Sequence, residues 1–256
     1  MGKGSDMLFL LGGHDLEMIT IREILEEKSI PYVDNNLRWD NACLSRYSEE
    51  LNLHSDGGME IYGIELREDI PAPANYRSID HHNDKFVFLS SLEQVAEILN
   101  YELNQNQRLV AANDKGYIPE MIKAGATTEQ IREIRKKDRL AQGGSDDEEA
   151  LAEASIRDDM ECIGRLTKVK SRTKHFSIIA DLLYPCDSLL IYTSSEWVYY
   201  GYGRDVLRTL FHEDIVAGRI YYGGKNNGYI GLVDGALPEN EMNNMVDKII
   251  KELRYV

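Results

Sequence analysis

The chain has 256 residues, 43% of them hydrophobic, and a formal charge of −15 from 44 acidic against 29 basic side chains. That balance argues against long nucleic acid as a partner, because duplex binding depends on basic side chains that displace counterions from phosphates. A small anionic substrate stays allowed, since metal ions and a few local cations overcome a negative global field. No apolar stretch approaches the length of a membrane span. The opening residues, Met1 to Asp6, lack the long apolar stretch of a secretory signal. Cys43, Cys162 and Cys186 are widely separated and show no CxxC or zinc-finger spacing, which reads as reduced thiols and a cytoplasmic location.

In chain order, residues 8–11 read as a buried strand, followed by Gly12, Gly13 and an amphipathic helix over 17–28. Residues 29–33 begin a second strand, which Asp34, Asn35 and Asn36 end. A helix is predicted over 46–53. Residues 59–66 and 77–80 are the next strands, separated by a loop with Pro71 and Pro73 that helix would not tolerate. Ser90, Ser91, Leu92 and Glu93 form a capping signal that opens a helix through Leu103. Residues 109–112 are then predicted as a short buried strand. This alternation favours an α/β fold, a parallel sheet with helices on both faces.

Helical spacing continues over 117–138, broken at 125–128, and an acidic turn at 143–147 caps a helix predicted over 148–166. The basic stretch 168–174 lacks apolar periodicity and is the expected linker. It divides the chain into an N-terminal domain over 1–167 and a smaller α/β domain over 175–256. The second contains strand-like runs at 188–193, 197–202, 219–222 and 229–233, a helix over 205–212 and a closing helix over 239–253.

Asp80, His81, His82 and Asn83 follow one another after the strand-like run 76–79. A carboxylate and two imidazoles in three residues make a poor core and a good holder for a divalent metal. Asp15 and Glu17, Glu65, and Asp114 also lie where apolar runs end. In an open α/β sheet, ligands collect outside the carboxyl ends of the strands, so these groups are expected to converge on one site. Oxygen and imidazole ligands suit manganese or magnesium. Two such ions lower the pKa of a water and clamp a phosphate, which points to hydrolysis of a phosphate ester or anhydride.

These residues resemble the motifs of the DHH phosphoesterase superfamily. Its first motif, a strand ending in His and a D-x-D pair, is similar to Gly13-His14-Asp15-Leu16-Glu17. Its second, a carboxylate ending a later strand, matches Glu65. The third is Asp80-His81-His82, and the fourth, an Asp ending a short apolar strand, is similar to 111–116 with Asp114. All four occur in order across the first half of the chain. Two family aspartates are replaced by Glu17 and Glu65, and His14 lies directly beside Asp15. The resemblance implies that Asp15, Glu17, Glu65, His81 and Asp114 hold two metals, manganese with magnesium as the alternative, with Glu65 as the bridge. It further implies Asp80 as ligand or support, His14 as ligand or support, and His82 as a contact to the phosphate or leaving oxygen.

In many relatives a C-terminal domain carries a glycine-rich loop with a His that grips phosphate. The stretch 222–229 resembles it, with Gly223, Gly224, Lys225 and Asn227 as substrate contacts and Lys225 where His is expected. Arg204 is a second expected anchor. The same glycines fit a hairpin turn equally well. A dinucleotide-binding reading of Gly12 and Gly13 fails, because the full glycine pattern is missing and Asp15 places negative charge where pyrophosphate would sit. The expected activity is hydrolysis of a small nucleotide or short oligonucleotide. Alternatives are a pyrophosphatase, another non-nucleotide phosphohydrolase, or a nucleotide-binding sensor with little turnover. The expected partner is a small phosphorylated molecule, with no membrane or long nucleic acid; a homodimer is allowed.

Overall fold

In the computed structural model, which describes residues 6–55, 58–82, 89–224 and 228–254, the chain divides into two units, Met1–Gly143 and Gly144–Val256. The first is built on four parallel strands. β1 (Met7–Leu11) is flanked by β2 (Tyr32–Asp34) and β3 (Glu60–Ile64), and β4 (Tyr76–Ile79) pairs with β3. The helices of this unit are α1 (Leu16–Glu27), α2 (Ser48–Leu53), α3 (Ser91–Ile98), α4 (Gln105–Lys123) and α5 (Thr128–Ala141).

Alternation along β1 sends its side chains to two cores. Phe9 and Leu11 pack with Met18, Ile21 and Leu25 of α1, Leu92 and Val95 of α3, and Val110 of α4. Leu8 and Leu10 pack with Leu44, Tyr47 and Leu51, from a 3-10 turn and α2. Both faces are thus covered, as a parallel sheet requires. The register pairs Leu11 with Ile64 and Ile64 with Ile79, so the residues after β1, β3 and β4 emerge side by side at one sheet edge.

The second unit carries a mixed six-stranded sheet in the order β5-β6-β7-β8-β10-β9. Its strands are β5 (Met160–Ile163), β6 (Leu166–Lys170), β7 (Ser188–Tyr192), β8 (Trp197–Gly201), β9 (Ile220–Gly223) and β10 (Tyr229–Leu232). The helices are α6 (Asp146–Asp159), α7 (Phe176–Leu182), α8 (Arg204–Leu210), α9 (His212–Val216) and α10 (Glu239–Leu253). Trp197, Tyr199 and Ile230 pack under Leu207 of α8 and Met242, Val246 and Ile249 of α10. Val169, Leu189 and Ile191 pack on the other face, with Ala152 of α6 and Ile179 of α7. Among the described residues no helix is long and apolar enough to cross a membrane.

Several expectations change. Residues 109–112 are helical, inside α4, rather than a strand. Asn104 caps that helix, accepting from the Gln107 amide while the Gln107 side chain accepts from the Asn104 amide. A short apolar run does not reveal its period, and this capping box upstream decides it. The helix predicted to reach 166 ends at Asp159. β5 and β6 form a hairpin through Gly164 and Arg165, with Gly164 at φ +62°, a conformation open to glycine without a Cβ penalty. The basic stretch 168–174 is therefore no linker over its first residues: it lies in β6, where Val169 is fully buried, and the division falls at the Gly143-Gly144 turn instead. The helix expected over 205–212 is interrupted, with α8 ending at Leu210 and α9 starting at His212.

Candidate metal centre

Three strand ends and one helix supply the centre. Asp15 follows β1 and serves as the N-cap of α1, its Oδ1 accepting from the Met18 amide at 2.8 Å. Glu17, in the first turn of α1, is buried, and its Oε1 accepts from the Leu92 amide at 3.0 Å, at the start of α3. Glu65 directly follows β3 in the left-handed region, φ +53°. A non-glycine residue held there signals a structure that over-determines it. Its Oε1 accepts from the Ser91 hydroxyl at 2.6 Å. The amino end of α3 thus anchors two carboxylates, where its dipole favours negative charge.

His81 stands among them. Its Nε2 lies 2.5 Å from Asp114 Oδ2, 3.4 Å from Glu65 Oε1 and 3.8 Å from Glu17 Oε2. His82 Nδ1 lies 3.7 Å from the same Glu65 oxygen. One ligand atom each from Glu65, His81, His82 and Asp114 falls within 4.8 Å of the others. His81 Nε2 and Asp114 Oδ2 are both buried, yet among the described residues neither has a hydrogen-bond partner in acceptable geometry. Buried polar atoms are normally satisfied. Buried ligand atoms left with only an ill-aligned contact to each other, and surrounded by carboxylates, are what a divalent cation would satisfy.

The electrostatics agree. Burial, then the nearby Asp114, pushes the Asp15 carboxyl up to about 8. Burial, followed by Asp114 and Glu65, holds Glu17 well above the ordinary carboxylate range. Burial alone would lower His81, but the Asp114 and Glu65 carboxylates outweigh it and raise the imidazole to about 10. Without a cation, so many buried acids stay partly neutral and share protons with His81. Such a site fits hard or borderline divalent ions bound through oxygen and imidazole.

Asp80 has a supporting place. Its Oδ1 accepts from the His82 amide at 2.9 Å and faces His82 Nδ1 at 3.2 Å. The half-exposed His82 ring is thereby held at the rim. His14 is half-buried and lies outside the four-residue cluster. Asp114 sits on α4 rather than at a strand end, just before a kink at Gly116 and Tyr117.

Several residues here carry no sequence signal of their own. Arg135 and Asp138 of α5 are buried and paired at 2.9 Å. Arg135 also donates to Asn113 Oδ1 at 3.0 Å, beside Asp114. Asp138 Oδ1 faces the Leu16 amide at 3.4 Å, beside Asp15, and accepts from Gln142 at 3.2 Å. The pair thus ties the segments that carry Asp15 and Asp114 to α5. Its i,i+3 spacing was visible, but burial of a charged pair depends on what covers the helix. A cavity of about 160 Å³ opens over the centre, bounded by Asp15, Asp114 and His82 and by the aromatic rings of Trp39 and Tyr117.

The second unit's predicted contacts are placed in part. Gly223 ends β9 and Gly224 follows in the left-handed region, φ +75°. Arg204 Nη1 donates to the carbonyl oxygens of Gly223 at 3.0 Å and Gly224 at 2.6 Å, bracing that turn. β9 and β10 pair antiparallel on either side. Lys225 and Asn227 lie outside the described residues.

No family model matches the chain, and no curated protein matches its sequence. Solved structures do resemble it. One is described as the DHH domain of a member of the s1p family of ribosomal proteins, at 11% identity and a TM-score of 0.53, covering 98% of this chain and 87% of that one. A pGpG-specific phosphodiesterase, PggH, from Vibrio cholerae aligns at 10% identity and a TM-score of 0.46, over 98% of both chains. A manganese-bound exonuclease, RecJ, aligns at 11% identity and a TM-score of 0.43, over 96% of this chain and 90% of that one. The first of these likenesses speaks for the backbone alone: the chain has the two-domain α/β fold of a DHH-domain protein.

Proposed function

We propose that the protein is a metal-dependent phosphoesterase that hydrolyses a small nucleotide or short oligonucleotide with two manganese ions, magnesium being the alternative. One observation carries this reading: His81 Nε2 and Asp114 Oδ2, buried and without a well-aligned hydrogen bond, meet at 2.5 Å inside a ring formed with Glu17 and Glu65. Asp15, Glu17, Glu65, His81 and Asp114 would hold the ions, with Glu65, which faces both imidazoles, as the bridge. Divalent ions bound there supply neutralisation of phosphoryl charge and a lowered pKa for an attacking water.

The chain's own residues do the rest. Asp80 fixes Nδ1 of His82, which leaves Nε2 to contact a phosphoryl or leaving oxygen at the rim. Ser91 and the Leu92 amide hold Glu65 and Glu17 in place, so the ligands are positioned before substrate arrives. Gly223, Gly224, Lys225 and Asn227 belong to the proposal as phosphate contacts, on the strength of the sequence resemblance. Arg204 supports them through the turn carbonyls.

The test is phosphate release from nucleotides, dinucleotides and pyrophosphate by chelated protein, with and without manganese restored. Nucleotide hydrolysis that depends on manganese supports the reading. Hydrolysis of pyrophosphate alone would replace the substrate class, and binding without turnover would make the protein a sensor.

A further inference from the structure

Two exposed aromatic rings border the cavity over the metal centre, and neither serves the ions. Trp39 lies in a 3-10 turn that contributes no buried residue, and 44% of it is exposed. Its ring rests against Gly13, where a Cβ would come within 2.3 Å of the indole. The bare glycine after β1 thus seats the ring beside the centre, its centroid 6.2 Å from that of His82. Tyr117 is 61% exposed, at the kink of α4, with φ +55° and ψ −145°. A bulky residue is a rare occupant of that region, and such outliers gather at ligand sites. The guanidinium of Arg135 lies 5.0 Å over its ring, so the side chain is held as well as exposed.

A phosphate or pyrophosphate offers no apolar face to such rings. A nucleobase does, and stacking on aromatic side chains is how bases are held without regard to sequence. Resting on the phosphoesterase reading above, we infer that the aromatic rim of the cavity is a nucleobase subsite: the base next to the reacting phosphate stacks on Trp39 and is bounded by Tyr117. The substrate class is therefore a phosphate ester that carries a base, and non-nucleotide phosphates lack its main specificity contact.

The chain has two tryptophans; both fluoresce, but Trp197 is fully buried, so a ligand in the cavity quenches Trp39. Manganese-loaded full-length protein is mixed in a stopped-flow instrument with each of the four nucleoside 5′-monophosphates and with ribose 5-phosphate. Quenching is read before turnover. At least one nucleotide should quench the signal and bind about ten-fold or more tightly than ribose 5-phosphate, which should not quench. In calorimetric titrations, which need no fluorophore at position 39, Trp39→Leu should bring the two affinities close together. Trp39→Phe should keep most of the preference, a rescue that a merely structural role would not give. Tyr117→Leu should narrow the preference too. Equal affinities, or quenching that ribose 5-phosphate reproduces, overturn the subsite even if the protein hydrolyses phosphate esters. Base-dependent quenching without manganese-dependent hydrolysis keeps the subsite and removes the phosphoesterase reading.

Discussion

Chelating divalent ions should leave a protein whose stability falls as pH rises between 6.5 and 8. In the ion-free fold the Asp15 carboxyl is raised from 3.8 to about 8 and His81 from 6.5 to about 10. Between its unfolded and folded pKa each group binds more protons folded than unfolded, so raising pH favours unfolding. For Asp15 that loss runs from about 4 through 8, and for His81 from 6.5 through about 10, so both act together between 6.5 and 8. Two protons correspond to at most about 2.7 kcal/mol per pH unit. That is a fall of roughly 5–10 °C in melting midpoint per unit for a domain of this size. Glu17, raised by the same burial, adds in the same direction.

Metal ligands must be deprotonated, so manganese should displace these protons, bind more tightly at higher pH and restore the midpoint most at pH 8. Thermal melts with chelator or manganese at three pH values read the first effect. Calorimetric titration in two buffers of different ionisation enthalpy counts the protons released. A chelated protein with a flat midpoint from pH 6.5 to 8, or manganese binding without proton release, would refute the proton-sharing centre.

Glu65→Gln should lower bound manganese towards one ion or none, since its Oε1 faces both imidazoles; elemental analysis that still finds two ions would move the bridging role to Asp114. His81→Ala should abolish metal-dependent hydrolysis together with metal binding. Asp80→Ala should leave more metal bound but depress kcat, because it releases His82; wild-type turnover in either variant removes that residue from the mechanism. Arg135→Met should destabilise the protein by about 3–5 kcal/mol in urea melts, because it leaves the Asp138 carboxylate buried beside the Leu16 amide without its partner. Adding Asp138→Leu should recover much of that loss, and a single-variant effect below about 1 kcal/mol would mean the pair braces nothing.

The candidate ligands could be named from the sequence because each follows a local signal. Asp15 and Glu17 sit where an apolar run turns into an amphipathic helix, Glu65 ends a run, and Asp80 to His82 are adjacent. Strand alternation and helix periodicity depend on neighbours a few residues away, so β1, α1, β3, β4, β7, β8 and α10 are found close to where the pattern puts them. The motif around Asp114 was also visible, though its setting was not: four apolar residues do not distinguish a strand from a turn of helix, and the Asn104–Gln107 cap decides for helix.

Tertiary structure alone decided what lies three or more elements apart. The domain division at Gly143-Gly144 follows from strands β5 and β6 joining the second sheet, a long-range pairing that a basic composition hides. The bracing of Asp15 and Asp114 by Asp138 and Arg135 needs α5 laid against α1 and α4, and in sequence that pair looks like any solvated salt bridge on a helix. Trp39 and Tyr117, 78 positions apart, come to the rim of one cavity only because a bare Gly13 seats one ring and a left-handed kink turns out the other. Local chemistry names the groups that can hold a metal. Their burial, their shifted protons and the aromatic wall beside them arise from packing, which no short stretch of chain encodes.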